Sequence, residues 1–158
     1  MPPGAFISIH VSEFKEIGDR LLVIFDGRCG LCNRSVSWFL NRDRNDRMRF
    51  VPSDAPAAGP LLDRHGWASF AAQGNPATIL VAVSPGTPAE RLLVRSAAVL
   101  ALLAQLPAPW PAVATILGWI PRRLRDLGYR LVARFRYRLS GPLDECPIPT
   151  ASDENRFL

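Results

Sequence analysis

The stretch LLVIFDGRCGLCNRSVSWFL, residues 21–40, places two cysteines between a strand pattern and a helix pattern. It begins with a nearly continuous apolar run rich in β-branched and aromatic residues, which is typical of a strand covered on both faces. One face of a helix then follows, formed by Cys32, Val36, Phe39 and Leu40. We therefore expect Cys29 and Cys32 at the start of a helix that directly follows a buried strand.

The length and composition predict a single folded domain. With 158 residues, of which 48% are hydrophobic, the chain can bury a core without disulfide bridges. We expect one domain over residues 20–150, with irregular termini at 1–19 and 151–158. The N-terminal residues show no basic start, long apolar run or small-residue cleavage site, so we expect no signal peptide. We therefore expect the protein to lie in the reducing cytosol. In that compartment a C-x-x-C pair indicates catalysis or metal binding rather than a static bridge.

The rest of the chain supplies three more strand patterns and several helix patterns. Strands are predicted at 48–51, 77–83 and 91–95, a short helix within 61–70, a helix at 97–106 with Ser96 as N-cap, and two helices within 110–140. The order is strand, helix, strand, then a hairpin and a helix, which is the order of a thioredoxin-like domain. We therefore predict an α/β fold with a thioredoxin-like βαβ–ββα core over 20–106 and a helical extension over 107–140.

One uncharged segment is a candidate for a membrane span. Residues 96–120 contain no charged side chain, but Pro107, Pro109 and Pro111 divide the segment. Both pieces are much shorter than the ~20 residues that a helix needs to cross a bilayer. We expect no transmembrane segment, and peripheral membrane contact remains open.

Two cysteines at a helix N-terminus are suited to thiol–disulfide exchange. The chemistry needs an exposed thiolate and a nearby thiol that resolves the mixed disulfide. Free backbone N–H groups and the positive end of the helix dipole favour a thiolate at Cys29, next to Arg28. Cys32 lies one turn further on the apolar face, which suits a shielded resolving thiol. Gly30 lets a substrate chain approach the pair closely.

Asp26, at the carboxyl end of the first strand, has two interpretations that do not exclude each other. Its carboxylate can accept or relay a proton when Cys32 attacks the mixed disulfide. It can also cap the backbone N–H groups of the turn, as aspartate often does.

The sequence does not group the ligands that a metal site requires. Structural zinc sites use four Cys or His ligands, commonly as two closely spaced pairs. Beyond the first pair, His10, His65 and Cys146 are each isolated. We therefore expect no metal and interpret His65 as a surface histidine at a helix end.

With these residues in view, the chain resembles the DCC family of thiol–disulfide oxidoreductases, named for an aspartate followed by two cysteines. The resemblance rests on FDGRCGLCN (25–33), RSAAVL (95–100), IPRRLRDLGYRLVARFRYRLSG (120–141) and Cys146. The first motif is carried by Asp26, Gly27, Cys29 and Cys32. Ser140 departs from the family, which tends to have an aromatic residue at that position.

The resemblance implies thiol–disulfide exchange and does not identify a substrate. Together with the chemistry of the pair, it leads us to expect that Cys29 attacks a disulfide and that Cys32 releases the reduced product. We expect a disulfide-containing protein or small molecule as substrate, an external thiol reductant, and no tightly bound cofactor. The stretch NPATILVAVSPG (75–86) is also similar to thioredoxins, which place a cis-proline before such a strand, facing the cysteines. Pro76 is the candidate for that role, and the alternative is an ordinary trans proline at the start of a strand.

Residues 122–140 form an amphipathic helix pattern rich in arginine. Its apolar stripe consists of Leu124, Leu127, Leu131, Phe135 and Leu139, and the arginines off the stripe are Arg122, Arg123, Arg125, Arg130, Arg134 and Arg136. We expect the stripe to pack on the domain and the arginines to form a solvated basic face. Contact with an anionic membrane or an acidic partner is the alternative. We expect no nucleic-acid partner, because the chain has no recognised binding motif or aromatic platform.

Two further residues have open roles. Arg138 falls within the apolar stripe, so either the helix end frays there or Arg138 turns inward. An inward Arg138 would pair with a carboxylate such as Asp144 or support the thiolate of Cys29. Cys146 is either a third redox thiol that receives a disulfide from the pair or an idle cysteine.

The sequence leaves two main classes of function open, and a small zinc-binding protein is the third interpretation. The leading prediction is a small thioredoxin-like oxidoreductase that uses Cys29 and Cys32. The rival is a non-catalytic binding module that keeps the fold and contacts a membrane surface or membrane protein through its basic C-terminal helix. Loss of exchange in Cys29→Ser favours the first, and salt-sensitive vesicle binding that is lost on arginine removal favours the second.

Overall fold

The computed structural model describes residues 17–67, 78–140 and 154–158. The strands are β1 (Leu21–Phe25), β2 (Met48–Pro52), β3 (Leu80–Val83) and β4 (Arg91–Val94). The helices are α1 (Gly30–Leu40), α2 (Gly59–Arg64), α3 (Ser96–Gln105), α4 (Trp110–Gly118), α5 (Arg122–Ser140) and a short 3-10 helix (Glu154–Arg156). This element order confirms the predicted α/β core and its additional C-terminal helices.

The four strands form one mixed sheet in the order β2–β1–β3–β4. Strand β1 pairs in parallel with β2, with Val23 opposite Phe50, and antiparallel with β3, with Val23 opposite Val81. Strand β4 then pairs antiparallel with β3. A parallel βαβ unit joined to an antiparallel hairpin is the arrangement expected of a thioredoxin-like core.

Strand β1 is buried on both faces, as its continuous apolar run predicts. All five of its side chains are at most 5% exposed. Val23 packs in one core cluster with residues of α1 and α3, whereas Leu22 and Ile24 pack in a second cluster with residues of α2. Successive side chains of a strand point to opposite faces, so α1 and α3 cover one face of the sheet and α2 covers the other.

Two of the differences between predicted and observed element boundaries have a clear physical reason, and residue 77 of the predicted third strand lies outside the described residues. Strand β3 begins at Leu80, because the N–H of Ile79 donates to the Tyr129 hydroxyl at 2.7 Å. Helix α3 is capped at Arg95, which has a φ of 53°, and not at Ser96. The Ser96 hydroxyl donates to the carboxylate of Asp126, so it is committed to a contact with α5.

The C-terminal residues 154–158 are more regular than predicted. After the 3-10 helix, Phe157 forms a parallel bridge with Phe50 at the edge of β2, and the N–H of Leu158 donates to the Phe50 carbonyl at 3.0 Å. The Phe157 ring also lies edge-on to Phe25, with 6.4 Å between the ring centroids. These contacts fix the last residues against the sheet.

Helix α5 packs with the face opposite to the one predicted. Leu124, Leu127 and Leu131 are 59%, 60% and 58% exposed, so the expected packing stripe points to solvent. The packed face carries Asp126, Tyr129, Ala133 and Arg136, which are buried or half-buried. Polar partners on the core hold this face, which is why hydrophobicity alone predicted the wrong orientation. The side chains of Leu139 and Ser140 lie outside the described residues.

Among the helices of the described ranges, none is both long enough and apolar enough to cross a bilayer.

Candidate active site

The turn between β1 and α1 is built around Asp26, whose side chain is buried. The Arg28 N–H donates to Asp26 Oδ1 at 3.0 Å, and the Cys29 N–H donates to the Asp26 carbonyl at 3.3 Å. The turn-capping interpretation of Asp26 is therefore realised in the structure. It fixes the point at which the chain leaves the sheet and enters α1.

Cys29 occupies the N-cap position of α1, with extended backbone angles. Its Sγ accepts the N–H of Cys32 at 3.4 Å. That N–H belongs to the first turn, where helix donors have no partner within the helix. A thiolate on Cys29 would therefore accept a backbone N–H that the helix itself does not use, and it would lie at the positive end of the helix dipole. Both cysteines are free thiols.

The two cysteines differ in exposure, in the opposite sense to the prediction. Cys29 is completely buried, whereas Cys32 is partly exposed. As an N-cap residue Cys29 holds its side chain against the helix end, and Cys32 lies one turn further along α1.

Burial is the main cause that raises the pKa of Cys32, and the neighbouring Cys29 raises it further. Cys32 is therefore a protonated thiol at neutral pH.

Asn33 holds the same turn from the other side, a role that sequence analysis missed. Its Nδ2 donates to the Gly27 carbonyl at 2.7 Å and to the Cys29 carbonyl at 3.0 Å. Both bonds reach back across the dithiol turn. The available signal was its position directly after Cys32, where a short amide side chain can bond to nearby backbone groups.

Arg136 is the basic residue that reaches the site, and sequence analysis placed it on the solvated face. Its Nη2 lies 3.6 Å from Asp26 Oδ2, and the two side chains are only 5% and 4% exposed. Its positive charge acts to lower the pKa of Cys32, against the dominant effect of burial. Arg138, for which an inward orientation was one of two alternatives, is exposed, with its guanidinium 5.9 Å from the centre of the Phe135 ring.

Tyr129 joins α5 to the segment that precedes β3. Its hydroxyl accepts the Ile79 N–H at 2.7 Å, and burial raises its pKa. A tyrosine that stays protonated is a neutral hydrogen-bonding group near the thiols. Sequence analysis noted this tyrosine only as part of a resemblance, because its partner is a backbone group fifty positions away.

A cavity of about 190 Å³ opens between α1, the end of the sheet and α5. Its polar wall includes Cys32, Asp26, Arg136 and Tyr129, and much of the remaining wall is apolar, including Phe25 and Val132. The Cys32 thiol, the buried ion pair and the tyrosine hydroxyl therefore line one small cavity. Its size suits an apolar side chain or a small molecule.

The other predicted site residues lie in different environments. Gly27 and Gly30 are buried, so Gly30 is not the open approach surface that was expected, and Arg28 is exposed. Pro76 and Cys146 lie outside the described residues, as does Asp144. Within the described ranges no three His, Cys, Asp or Glu side chains are grouped so as to hold a metal ion.

Comparison with known proteins gives a consistent result over most of the chain. A model of the DCC1-like thiol-disulfide oxidoreductase family matches residues 23–142. A chloroplastic DCC family protein of Arabidopsis thaliana is 32% identical over 139 residues, which cover 88% of this chain and 76% of that protein. The uncharacterized protein YuxK of Bacillus subtilis is 27% identical over 144 residues, covering 91% of this chain and 97% of that protein. No solved structure matches significantly.

Proposed function

The chain belongs to the DCC1-like thiol-disulfide oxidoreductase family, and we propose that it exchanges disulfides through the dithiol of Cys29 and Cys32. The observation that carries this proposal is the Cys29 sulfur at the N-cap of α1, 3.4 Å from the Cys32 N–H. The spacing of the pair along the helix puts the two thiols within reach of each other. Exchange of this kind needs such a pair and no metal.

In the proposed reaction Cys29 attacks first, as its thiolate. Its sulfur forms a mixed disulfide with one sulfur of the substrate, and the other substrate sulfur leaves as a thiolate. Cys32 then loses its proton and attacks the Cys29 sulfur, which releases the second substrate thiolate and leaves a Cys29–Cys32 disulfide. Two electrons thus pass from the dithiol to the substrate. An external thiol reductant returns them, so no tightly bound cofactor is needed.

The raised pKa of Cys32 supports this order of attack. A protonated thiol is a poor nucleophile, because the thiolate is the reactive form. Cys32 is therefore the resolving group, and it must lose its proton when the mixed disulfide is close by. Asp26 lines the same cavity, and we assign its carboxylate as the proton acceptor in that step. Arg136 positions Asp26 and offsets part of the cost of forming the Cys32 thiolate.

The burial of Cys29 adds a condition to this reaction. Because its side chain is completely covered, a substrate disulfide reaches its sulfur only after local opening of the site. The cavity beside Cys32 offers a place for an apolar group next to the substrate disulfide. The substrate is thus a protein or small molecule that has an apolar group next to its disulfide. The proposed setting is a reducing compartment such as the cytosol.

Trapping of the mixed disulfide tests the roles of the two cysteines. In a Cys146→Ser background, Cys32→Ser incubated with glutathione disulfide should accumulate a glutathione adduct on Cys29, detected by intact mass and peptide mapping. The matched Cys29→Ser variant should react at least tenfold more slowly, because the raised pKa of Cys32 leaves little thiolate. A faster adduct on Cys32 than on Cys29 would reverse the order of attack.

A further inference from the structure

The exposed apolar side chains of the described residues are concentrated in one part of the molecule. Apart from Leu158, the large ones that are exposed all lie in α4, α5 and their junction. We call the set formed by Leu124, Leu127, Leu131 and Phe135 of α5, together with Trp119 at the end of α4, the outer face of α5. Their exposed fractions run from 38% for Phe135 to 81% for Trp119. Contiguous apolar surface of this kind marks an interaction site.

The outer face is not needed to hold α5 on the domain. The packed face uses Asp126, Tyr129, Ala133 and Arg136, which recur at intervals of three and four residues and so lie on one side of the helix. Their partners are Ser96 for Asp126, Ile79 for Tyr129 and Asp26 for Arg136. The leucines therefore point away from the core, and the core contacts of α5 do not account for them.

The charge around the outer face is strongly positive. Helix α5 contains seven arginines and one acidic residue, Asp126, which is buried against α3. The arginines beside the leucines are exposed: Arg123, Arg130, Arg134 and Arg138. The surface that α5 presents is thus apolar along its centre and cationic along its edge.

A further basic group lies under the outer face, where Leu124 and Arg125 line a shallow cavity of about 330 Å³ between α3, α4 and α5. Arg125 Nη1 is buried there and has no hydrogen-bond partner among the described residues. A buried donor without a partner costs stability unless a ligand satisfies it. A phosphate oxygen would satisfy it and would also neutralise the charge.

We propose that the outer face of α5 docks flat on an anionic lipid bilayer, with the leucines below the headgroups and the arginines among the phosphates. Interfacial helices have this pattern, an apolar face bordered by basic residues. Arginine side chains can extend to the headgroups while their stems stay apolar, and tryptophan favours the same boundary. A second copy of the chain fits less well, because it would bring two arginine-rich faces together. At ~1.5 Å per residue, α5 offers a contact roughly 28 Å long.

Docking in this orientation would hold the dithiol close to the bilayer. Val132 is 52% exposed beside the outer face and also lines the cavity next to Cys32. The cavity therefore opens near the lipid surface when α5 lies on it. The inference does not depend on the proposed exchange reaction, since the outer face contains neither cysteine.

Vesicle flotation of the reduced full-length chain tests the proposal. We expect binding to vesicles of phosphatidylcholine mixed with phosphatidylglycerol, little binding to phosphatidylcholine alone, and weaker binding as salt rises. Leu127→Ser should weaken binding about tenfold, because burial of a leucine is lost. Leu158→Ser, at an exposed leucine outside the outer face, is the matched control and should bind as the unmodified chain does.

A second pair of variants tests the charge. Arg134→Gln should weaken binding about fivefold. Arg44→Gln, at an exposed arginine outside α5, should have a smaller effect. Circular dichroism checks that each variant is folded, and Leu127→Ser should keep its exchange activity. Equal binding to neutral and anionic vesicles, or unchanged binding in Leu127→Ser, would overturn the proposal. So would a dimer in solution that dissociates in Leu127→Ser, because a second copy would then cover the outer face.

Discussion

At the scale of single residues, Arg136 has a role in the structure that the sequence did not predict. Both Arg136 and Arg138 were visible as basic residues near the end of an amphipathic helix, and Arg138 was the better candidate by its position in the apolar stripe. The structure has Arg136 against Asp26 and leaves Arg138 exposed. The choice depends on which side of α5 faces the core, and helical periodicity does not carry that information.

Replacement of Arg136 tests the buried ion pair. Arg136→Leu should destabilise the fold by about 3 kcal/mol, because it removes a charged partner of the buried Asp26 carboxylate. It should also move the alkaline limb of the exchange rate to higher pH, since a positive charge that lowers the pKa of Cys32 is removed. Denaturant unfolding and the pH profile of exchange measure the two effects.

Arg138→Leu is the matched control for this change, because it alters the same residue type two positions along the same helix. It should leave both stability and the pH profile nearly unchanged. Equal effects of the two substitutions would show that Arg136 acts only through the general charge of α5.

At the scale of elements, β1 and α1 were predictable and the orientation of α5 was not. The continuous apolar run of β1 reflects burial on both faces of the sheet, so the local sequence was enough to predict this strand. The α1 pattern was likewise confirmed, since Val36 and Phe39 are buried. Helix α5 is held by the Ser96, Ile79 and Asp26 contacts instead. These partners come from distant segments, so the leucine stripe was the stronger local signal and it predicted the wrong face.

The link between α3 and α5 has a defined pH dependence. The hydrogen bond from Ser96 is the main cause that lowers the pKa of Asp126, and the charges of Arg122 and Arg95 act in the same direction. A carboxylate with a lowered pKa in the folded state contributes stability above its unfolded pKa and loses it as pH falls. The contact should therefore weaken as the pH drops below about 4.

Asp126→Asn tests this link by thermal unfolding followed across pH. The variant should melt at a lower temperature than the unmodified chain near neutral pH, and the difference should shrink toward pH 3 as Asp126 becomes protonated. Asp63→Asn, at an exposed position of α2, is the control and should change little. A difference that stays constant down to pH 3 would mean that the charge of Asp126 is not what stabilises the contact.

At the scale of the whole molecule, the βαβ–ββα order of the elements and the family were predictable because both follow from short local sequence motifs. The relative exposure of the two cysteines was not, since the cover over a residue comes from segments remote in the chain. The same holds for the cavity, whose walls come from α1, the sheet and α5. Helix α5 connects two surfaces of the molecule, because its inner side completes the dithiol site and its outer side forms the proposed lipid contact.

The central claim is that Cys29 and Cys32 form an exchangeable dithiol, and a glutathione redox titration tests it most directly. The Cys146→Ser variant would be equilibrated at a series of glutathione ratios, alkylated, and read by intact mass. The account predicts one reversible two-electron transition, in which both thiols disappear together and return on reduction. Cys29→Ser should abolish that transition. If Cys29 and Cys32 never oxidise as a pair, or oxidise without returning, the exchange mechanism is wrong.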